Sequence, residues 1–251
     1  MLERSRVELS KSNNSGDKEL ADALGARIKK YGDFSLSSVA TPASTAASTV
    51  EKQTPLDLRQ KTYELLSMVR EPNAQERKSL TDKGFIFLPI EAKTLVQVVG
   101  EHPDHFWSGQ LQYINGLPYD DLRTYVPKPM EVAFNPRQLF IPDSFTKTQA
   151  VQLRMTEEYT KANFEKELPD AKALMLPATV EAQADIVYHK MTKGQVLFRD
   201  RFARALDRTA DSIVAHVGRD HPDHRLHVHD GDADDGRGNV GVPLAVVFLR
   251  K

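Results

Sequence analysis

Apolar positions along the chain change their spacing several times, and each change marks an element. Leu58, Leu65, Leu66 and Val69 recur at helical spacing after Thr54-Pro55, and Glu71-Pro72 closes the run. Thr54 suits an N-cap and Pro55 the first helical position, where a missing N–H costs nothing. A shorter helix is expected over 73–83, stopped by Gly84, and Phe85-Ile86-Phe87-Leu88 reads as a buried strand. Segment 95–129 shows no sustained period. It holds Trp107, the turn Asn115-Gly116-Leu117-Pro118 and Val126-Pro127-Lys128-Pro129, and reads as a functional loop or as short elements hidden in irregular composition.

Farther on, Val132–Phe134 and Leu139–Ile141 read as strands around Asn135-Pro136. Thr146, with Gln149 three residues later, resembles a capping box opening a helix with Val151, Met155, Tyr159 and Ala162 on one face. A strand over 173–176, a helix over 179–191 and a strand over 195–198 have the order of a βαβ crossover. A short helix over 202–206 and strands over 213–217 and 226–229 follow. The near-continuous apolar run Val242–Leu249 predicts a central strand covered on both faces. The expected fold is mixed α/β: an α+β sheet with flanking helices, one βαβ unit and a buried C-terminal strand.

Residues 1–54 differ in kind. One short helical patch near Leu20–Ile28 is followed by SLSSVATPASTAASTV from Ser35, which cannot bury enough apolar area to offset its ordering entropy. The division expected is a disordered arm and Ser/Thr/Ala linker over 1–54 and a single domain over 55–251. The arm reads as a tether with a docking segment or as an extension without a role.

Composition narrows the partners. Of 251 residues 40% are hydrophobic and 27% charged, and 34 basic residues face 35 acidic ones. A balanced charge gives no global attraction to nucleic acid, so such a partner is not expected. The absence of cysteine excludes disulfides, thiolate zinc sites and cysteine nucleophiles. A charged N-terminus and no apolar run long enough for a spanning helix predict a soluble, cytoplasmic protein without a membrane partner.

Candidate chemistry concentrates between positions 216 and 235. His216, His221, His224, His227 and His229 precede Asp230, Asp232, Asp234 and Asp235. The set His221, His224, His227, His229 and Asp230 could hold zinc or a similar divalent metal, the one cofactor the residues suggest. A strand over 226–229 would put His227 and His229 on one face. The spacing matches no closed structural zinc pattern, so the competing reading is a polar hairpin loop. Asp230-x-Asp232-x-Asp234 departs from a calcium loop at Asp235, where glycine is needed. Gly236-Arg237-Gly238-Asn239-Val240-Gly241 spells a dinucleotide fingerprint but leads into a strand rather than a helix.

Other constellations read as surface. Glu181, Asp185 and His189 recur every four residues opposite Val180, Ala184, Val187 and Met191, as a solvated face would. Arg199, Arg201, Arg204 and Arg208 alternate with Asp200, Asp207 and Asp211, a mixed-charge surface rather than a phosphate stripe. His102-Pro103-Asp104-His105-Phe106-Trp107 could line a pocket or anchor a loop through a buried Trp107.

The stretches FNPRQLFIPDSFTKTQ from Phe134, KALMLPATVEAQADI from Lys172, FARALDRT from Phe202 and the terminal VPLAVVFLRK resemble a group of uncharacterised bacterial proteins, encoded mainly by candidate-phyla bacteria. The resemblance covers about Lys83 to Lys251. It implies a bacterial cytoplasmic setting and a single domain, and assigns no residue a role. Two functions follow as expectations: a binding module, or a divalent-metal-dependent hydrolase using the C-terminal His/Asp cluster.

Overall fold

The computed structural model describes residues 55–117, 121–210, 213–219, 225–234 and 236–250. The arm expected over 1–54 lies outside them. Helix α1 (Pro55–Ser67) leads into the short β1 (Val69–Arg70). Helix α2 (Ala74–Asp82) starts at Asn73, whose side chain accepts the Glu76 N–H while the Glu76 carboxylate accepts the Asn73 N–H. Gly84, at φ +87°, makes the left-handed turn that a side chain would disfavour, and β2 (Ile86–Ile90) follows.

Segment 95–129 is built of short helices. They are α3 (Leu95–Glu101), a 3-10 turn (Pro103–His105), α4 (Gln110–Asn115) and α5 (Asp121–Thr124). None reaches two full turns, too short to display a hydrophobic period. Strand β3 (Met130–Phe134), α6 (Gln149–Asn163), β4 (Ala171–Ala173) and α7 (Ala178–Met191) come next. The chain ends with β5 (Phe202–Ala210), β6 (Ile213–Gly218), β7 (His227–Asp232), β8 (Val240–Gly241) and β9 (Ala245–Leu249).

Two sheets result. In the first, β9 pairs antiparallel with β1, β3 and β4, and β2 pairs with β3. The second runs β7-β6-β5-β8, antiparallel except for the β5–β8 pair. The mixed α/β expectation and the central C-terminal strand are both present. Among the described residues no helix is long and apolar enough to cross a membrane.

Four local expectations are corrected. There is no βαβ unit: β4 is antiparallel to β9, residues 195–198 form no strand, and the strand after α7 belongs to the other sheet. Residues 202–206 are the start of β5, not a helix. Their Ala, Leu and Arg favour helices intrinsically, but pairing with β6 and β8 overrides that preference. Residues 139–141 contribute only a bridge between Phe140 and Pro243. The cap of α6 is Thr148, whose side chain accepts the Val151 N–H, while Thr146 has φ +61°.

Helix α6 also turns a different face inward. Val151 is exposed, and the buried row is Gln149, Gln152, Leu153, Thr156 and Thr160. These polar groups have work to do there. Gln149 donates to the Ala205 carbonyl at 3.0 Å, Gln152 to Ser144 at 2.7 Å, and Thr160 accepts the Ala173 N–H at 2.9 Å. Backbone groups that neither sheet satisfies are paired by side chains.

Helix α7 packs on β2 of one sheet and on β5 and β6 of the other. Every residue from Ala178 to Ile186 is buried. Gln183 exchanges two hydrogen bonds with the Glu91 backbone, and Thr179 donates to the Lys93 carbonyl.

Strand β9 is buried along all five residues and holds Val69, Ala133 and Lys172 in register through Leu249, Val246 and Val247. Ending the chain before Leu244 therefore removes the shared partner of three strands. Such a truncation is expected to abolish the cooperative thermal transition followed by circular dichroism. A truncated chain melting cooperatively near the full-length midpoint would contradict this topology.

Candidate functional site

The acidic row of α7 is not solvated. Glu181 and Asp185 both have no exposed surface, because the helix is enclosed on two sides and the rule of one polar face does not apply to it. Asp185 is fully engaged. Its Oδ1 accepts the Leu197 N–H at 2.8 Å and the Phe198 N–H at 3.3 Å. Its Oδ2 accepts from Arg219 Nη2 and from His105 Nε2, the latter at 2.8 Å.

These contacts fix the imidazole's tautomer. Arg219 Nη2 lies 2.9 Å from His105 Nε2, and both atoms face Asp185 Oδ2, an ionised oxygen that only accepts. Nε2 therefore carries a proton, and Nδ1 is the ring atom left to accept or deliver one. Burial pushes the Asp185 carboxyl up, but the hydrogen bond from His105 and the charge of Arg219 outweigh it and hold it below the usual range. A depressed carboxyl contributes stability above its unfolded pKa, lost only as pH falls through the lower folded value.

The backbone fixes His105 as firmly as Asp185 fixes its ring. The Leu226 N–H donates to the His105 carbonyl at 2.9 Å and the Trp107 N–H to the Leu226 carbonyl at 3.1 Å. Buried Phe106 lies between.

His105 forms part of the wall of a cleft of about 670 Å³. His102, His189, Arg199, Arg219 and Arg225 share that wall with Glu101, Asp104 and Asp200. The His189 ring stands edge-on to His105, with centroids 5.2 Å apart. Burial and the nearby Lys190 charge hold His102 below its ordinary pKa. Arg219 is balanced by Asp185, and Glu101 by Lys93 at 2.6 Å. The rim includes Gly194 at φ +121° and Asp200 at φ +56°. A left-handed aspartate costs conformational energy, as functional rims often do.

The expected metal set is placed as follows. His221 and His224 lie outside the described residues. His227 and His229 do share a face of β7, but their rings stack at 4.9 Å and 20°, and Trp107 stacks on His227 at 5.8 Å and 13°. Lone pairs lie in the ring planes, so nearly parallel rings do not aim their nitrogens at one ion. Asp230 accepts the Tyr113 hydroxyl at 2.6 Å. Among the described residues no three His, Asp or Glu side chains converge as a metal site. Trp107 is half-exposed in this stack, neither buried as a loop anchor nor part of the cleft wall.

The expected mixed-charge surface on 199–208 is corrected too. Arg204 is completely buried and donates to the carbonyls of Asp232 and Lys147. Asp207 is buried and accepts the Ala178 N–H, capping α7 from β5 where Pro177 has no side chain able to do so. Tyr63 donates to it at 3.2 Å. Burial raises Asp207 to about 6 against the hydrogen bonds from Ala178 and Tyr63.

Glu181 sits within reach of the Asp207 charge, and among the described residues neither of its oxygens has a hydrogen-bond partner. Burial, then the Asp207 charge, push it well above the ordinary carboxyl range. Sequence spacing flagged the Glu181–Asp185–His189 row and the 102–107 segment separately. Nothing in it joined them, and nothing singled out Arg219.

No protein-family model, curated protein or solved structure matches the chain.

Glu181 yields a test with a defined sign. Its folded pKa is raised, so above pH of about 4.3 folding must take up a proton. Glu181→Met removes that uptake and two buried unpartnered oxygens. The variant is expected to gain roughly 1–3 kcal/mol at pH 7 and less as pH falls toward 4. Urea titrations at several pH values measure this, and a gain that is constant with pH would be inconsistent with a neutral buried carboxyl.

Proposed function

We propose that the cleft beside His105 binds a small anionic molecule, with His105 exchanging a proton with it. The observation that carries this reading is the arrangement of Asp185. A wholly buried carboxylate gives one acceptor site to a cleft-wall imidazole, orienting the ring and leaving Nδ1 without a hydrogen bond among the described residues. Orientation of an imidazole by a buried carboxylate is the common device of acid–base catalysis.

What supports an anionic ligand is one guanidinium of the remaining wall, Arg199. With Arg219 and Glu101 neutralised by their partners, Arg199 and Arg225 meet Asp104 and Asp200 beside three imidazoles. Arg199 is exposed and makes no ion pair among the described residues. Guanidinium forks match carboxylate and phosphate oxygens two at a time, which a neutral ligand does not exploit. The polar, partly strained rim suits a hydrophilic ligand rather than a lipid.

Two experiments test the reading. Inorganic phosphate and succinate are titrated at low salt while the thermal midpoint is followed. At least one raises it by mass action, and Arg199→Ala, an exposed substitution, reduces the rise. No rise with either anion, or a rise indifferent to Arg199, removes the reading. Separately, Asp185→Asn presents an N–H donor to Nε2, so the ring proton is expected to move to Nδ1. Nitrogen-15 shifts of His105 report the tautomer, and an unchanged tautomer would show that Asp185 does not set it.

A further inference from the structure

A second, smaller cavity lies on the other sheet. It measures about 180 Å³ and is lined by Phe202, His216, His229, Arg237, Asn239 and Val240, with Asp230 at its side. His216 on β6 is directly opposite His229 on β7. Its ring lies over Gly231, where a Cβ would overlap the imidazole, so the glycine leaves the slot that the ring occupies. The residue is 2% exposed, and among the described residues its Nε2 has no hydrogen-bond partner. A buried imidazole nitrogen without a partner opposes folding, since it has lost water and gained nothing in its place.

The loop that closes the cavity is fixed from several sides. The Thr146 N–H and the Val240 N–H donate to the Arg237 carbonyl at 3.2 and 3.3 Å, and the Phe202 N–H donates to the Asn239 carbonyl at 2.9 Å. Arg201 donates to the Gly238 carbonyl at 3.0 Å. Gly236 passes so near Thr146 that a Cβ would overlap its carbonyl. Arg237 and Asn239 are thus presented by a backbone that does not have to be ordered on binding.

Charge decides what the cavity accepts. The groups facing His216 are Arg204 from β5, Arg237 from the closing loop, and Asp230 and His229 from β7. Burial first, then Arg204 and Arg237, push the His216 imidazole down to about 3. Two guanidinium charges that disfavour a proton on this ring also disfavour a divalent cation there, although neutral imidazoles and Asp230 would otherwise suit one. Asp230 is already turned to Tyr113, which donates to its Oδ1 and accepts its N–H at 3.1 Å.

We infer that this cavity is a binding site for a small oxyanion, of phosphate or carboxylate size, held between Arg237 and the buried imidazole of His216. The neutral ring donates from one nitrogen to the anion, and Arg237 supplies the charge. The volume limits the occupant to an inorganic ion or a short carboxylate, with no room for a nucleotide.

The test follows the His216 ring by proton–carbon NMR of the full chain at low salt, with inorganic phosphate in one arm and acetate in the other. One or both anions are expected to shift its resonances and raise its titration midpoint. Arg237→Gln, on an exposed side chain, is expected to weaken binding roughly tenfold. His216→Phe, which keeps a ring over Gly231, should abolish the change in Arg237-side resonances. Arg199→Ala should leave all of this intact, which separates the site from the cleft at His105. His216 resonances unmoved by both anions to on the order of 50 mM, or shifts of equal size in Arg237→Gln, would overturn the inference.

Discussion

The buried N-terminus of α7 is the constraint around which this fold is arranged. A helix enclosed by two sheets cannot leave its first N–H groups to water, and Pro177 at the cap has no side-chain acceptor. Asp207, reaching across from β5, accepts the Ala178 N–H in its place. The same carboxyl is held by Tyr63 of α1, and Arg59 of α1 donates to the neighbouring Leu206 carbonyl at 2.9 Å. One capping interaction therefore ties the helix, the second sheet and the first helix of the domain into a single polar junction.

Farther along the helix the same enclosure produces opposite outcomes in two carboxyls four residues apart. Asp185 receives four donors, two of them backbone N–H groups, and stays ionised although buried. Glu181 receives none and lies near another acid, so it is held neutral. Removing a carboxylate from water costs several kcal/mol, and each charge-assisted hydrogen bond returns about 1.5–3 kcal/mol. Four donors are enough to outweigh the cost and none leaves protonation as the only relief. The donor count, not the depth of burial, separates the two roles.

That difference also explains what was legible in the sequence. Strands whose apolar runs are long, such as β9, and helices with a clear stop, such as α2 before Gly84, stood out because local signal and tertiary role agree. Strand β5 did not, since Ala203, Arg204, Ala205 and Leu206 are good helix formers and residues 202–207 are buried on both faces, which erases alternation. Helix α7 was found but its faces were not, because the enclosed stretch Ala178 to Ile186 buries Glu181 and Asp185 together with Val180 and Ala184, while Met191 at its end is exposed. The candidate site suffered the same way. His105 and Asp185 stood in two separate patterns whose meeting depends on how α7 sits against the 3-10 turn, and His216 was visible only as one histidine in a cluster.

Both cavities finally depend on a single strand. His216 and Arg219 stand three residues apart on the extended chain of β6 and its continuation, so they face opposite sides of the second sheet. One side chain reaches the small cavity over Gly231, the other the Asp185–His105 pair. A slip of one residue would exchange these faces, removing the guanidinium from Asp185 and the imidazole from its slot at once. The register that prevents it runs from Ile213 opposite Asp232 to Gly218 opposite His227, and Gly231 reinforces it because a single position on β7 can accept the His216 ring. The geometry of each cavity is thus a consequence of the same pairing, with β6 as the element that makes the two sites correct together or wrong together.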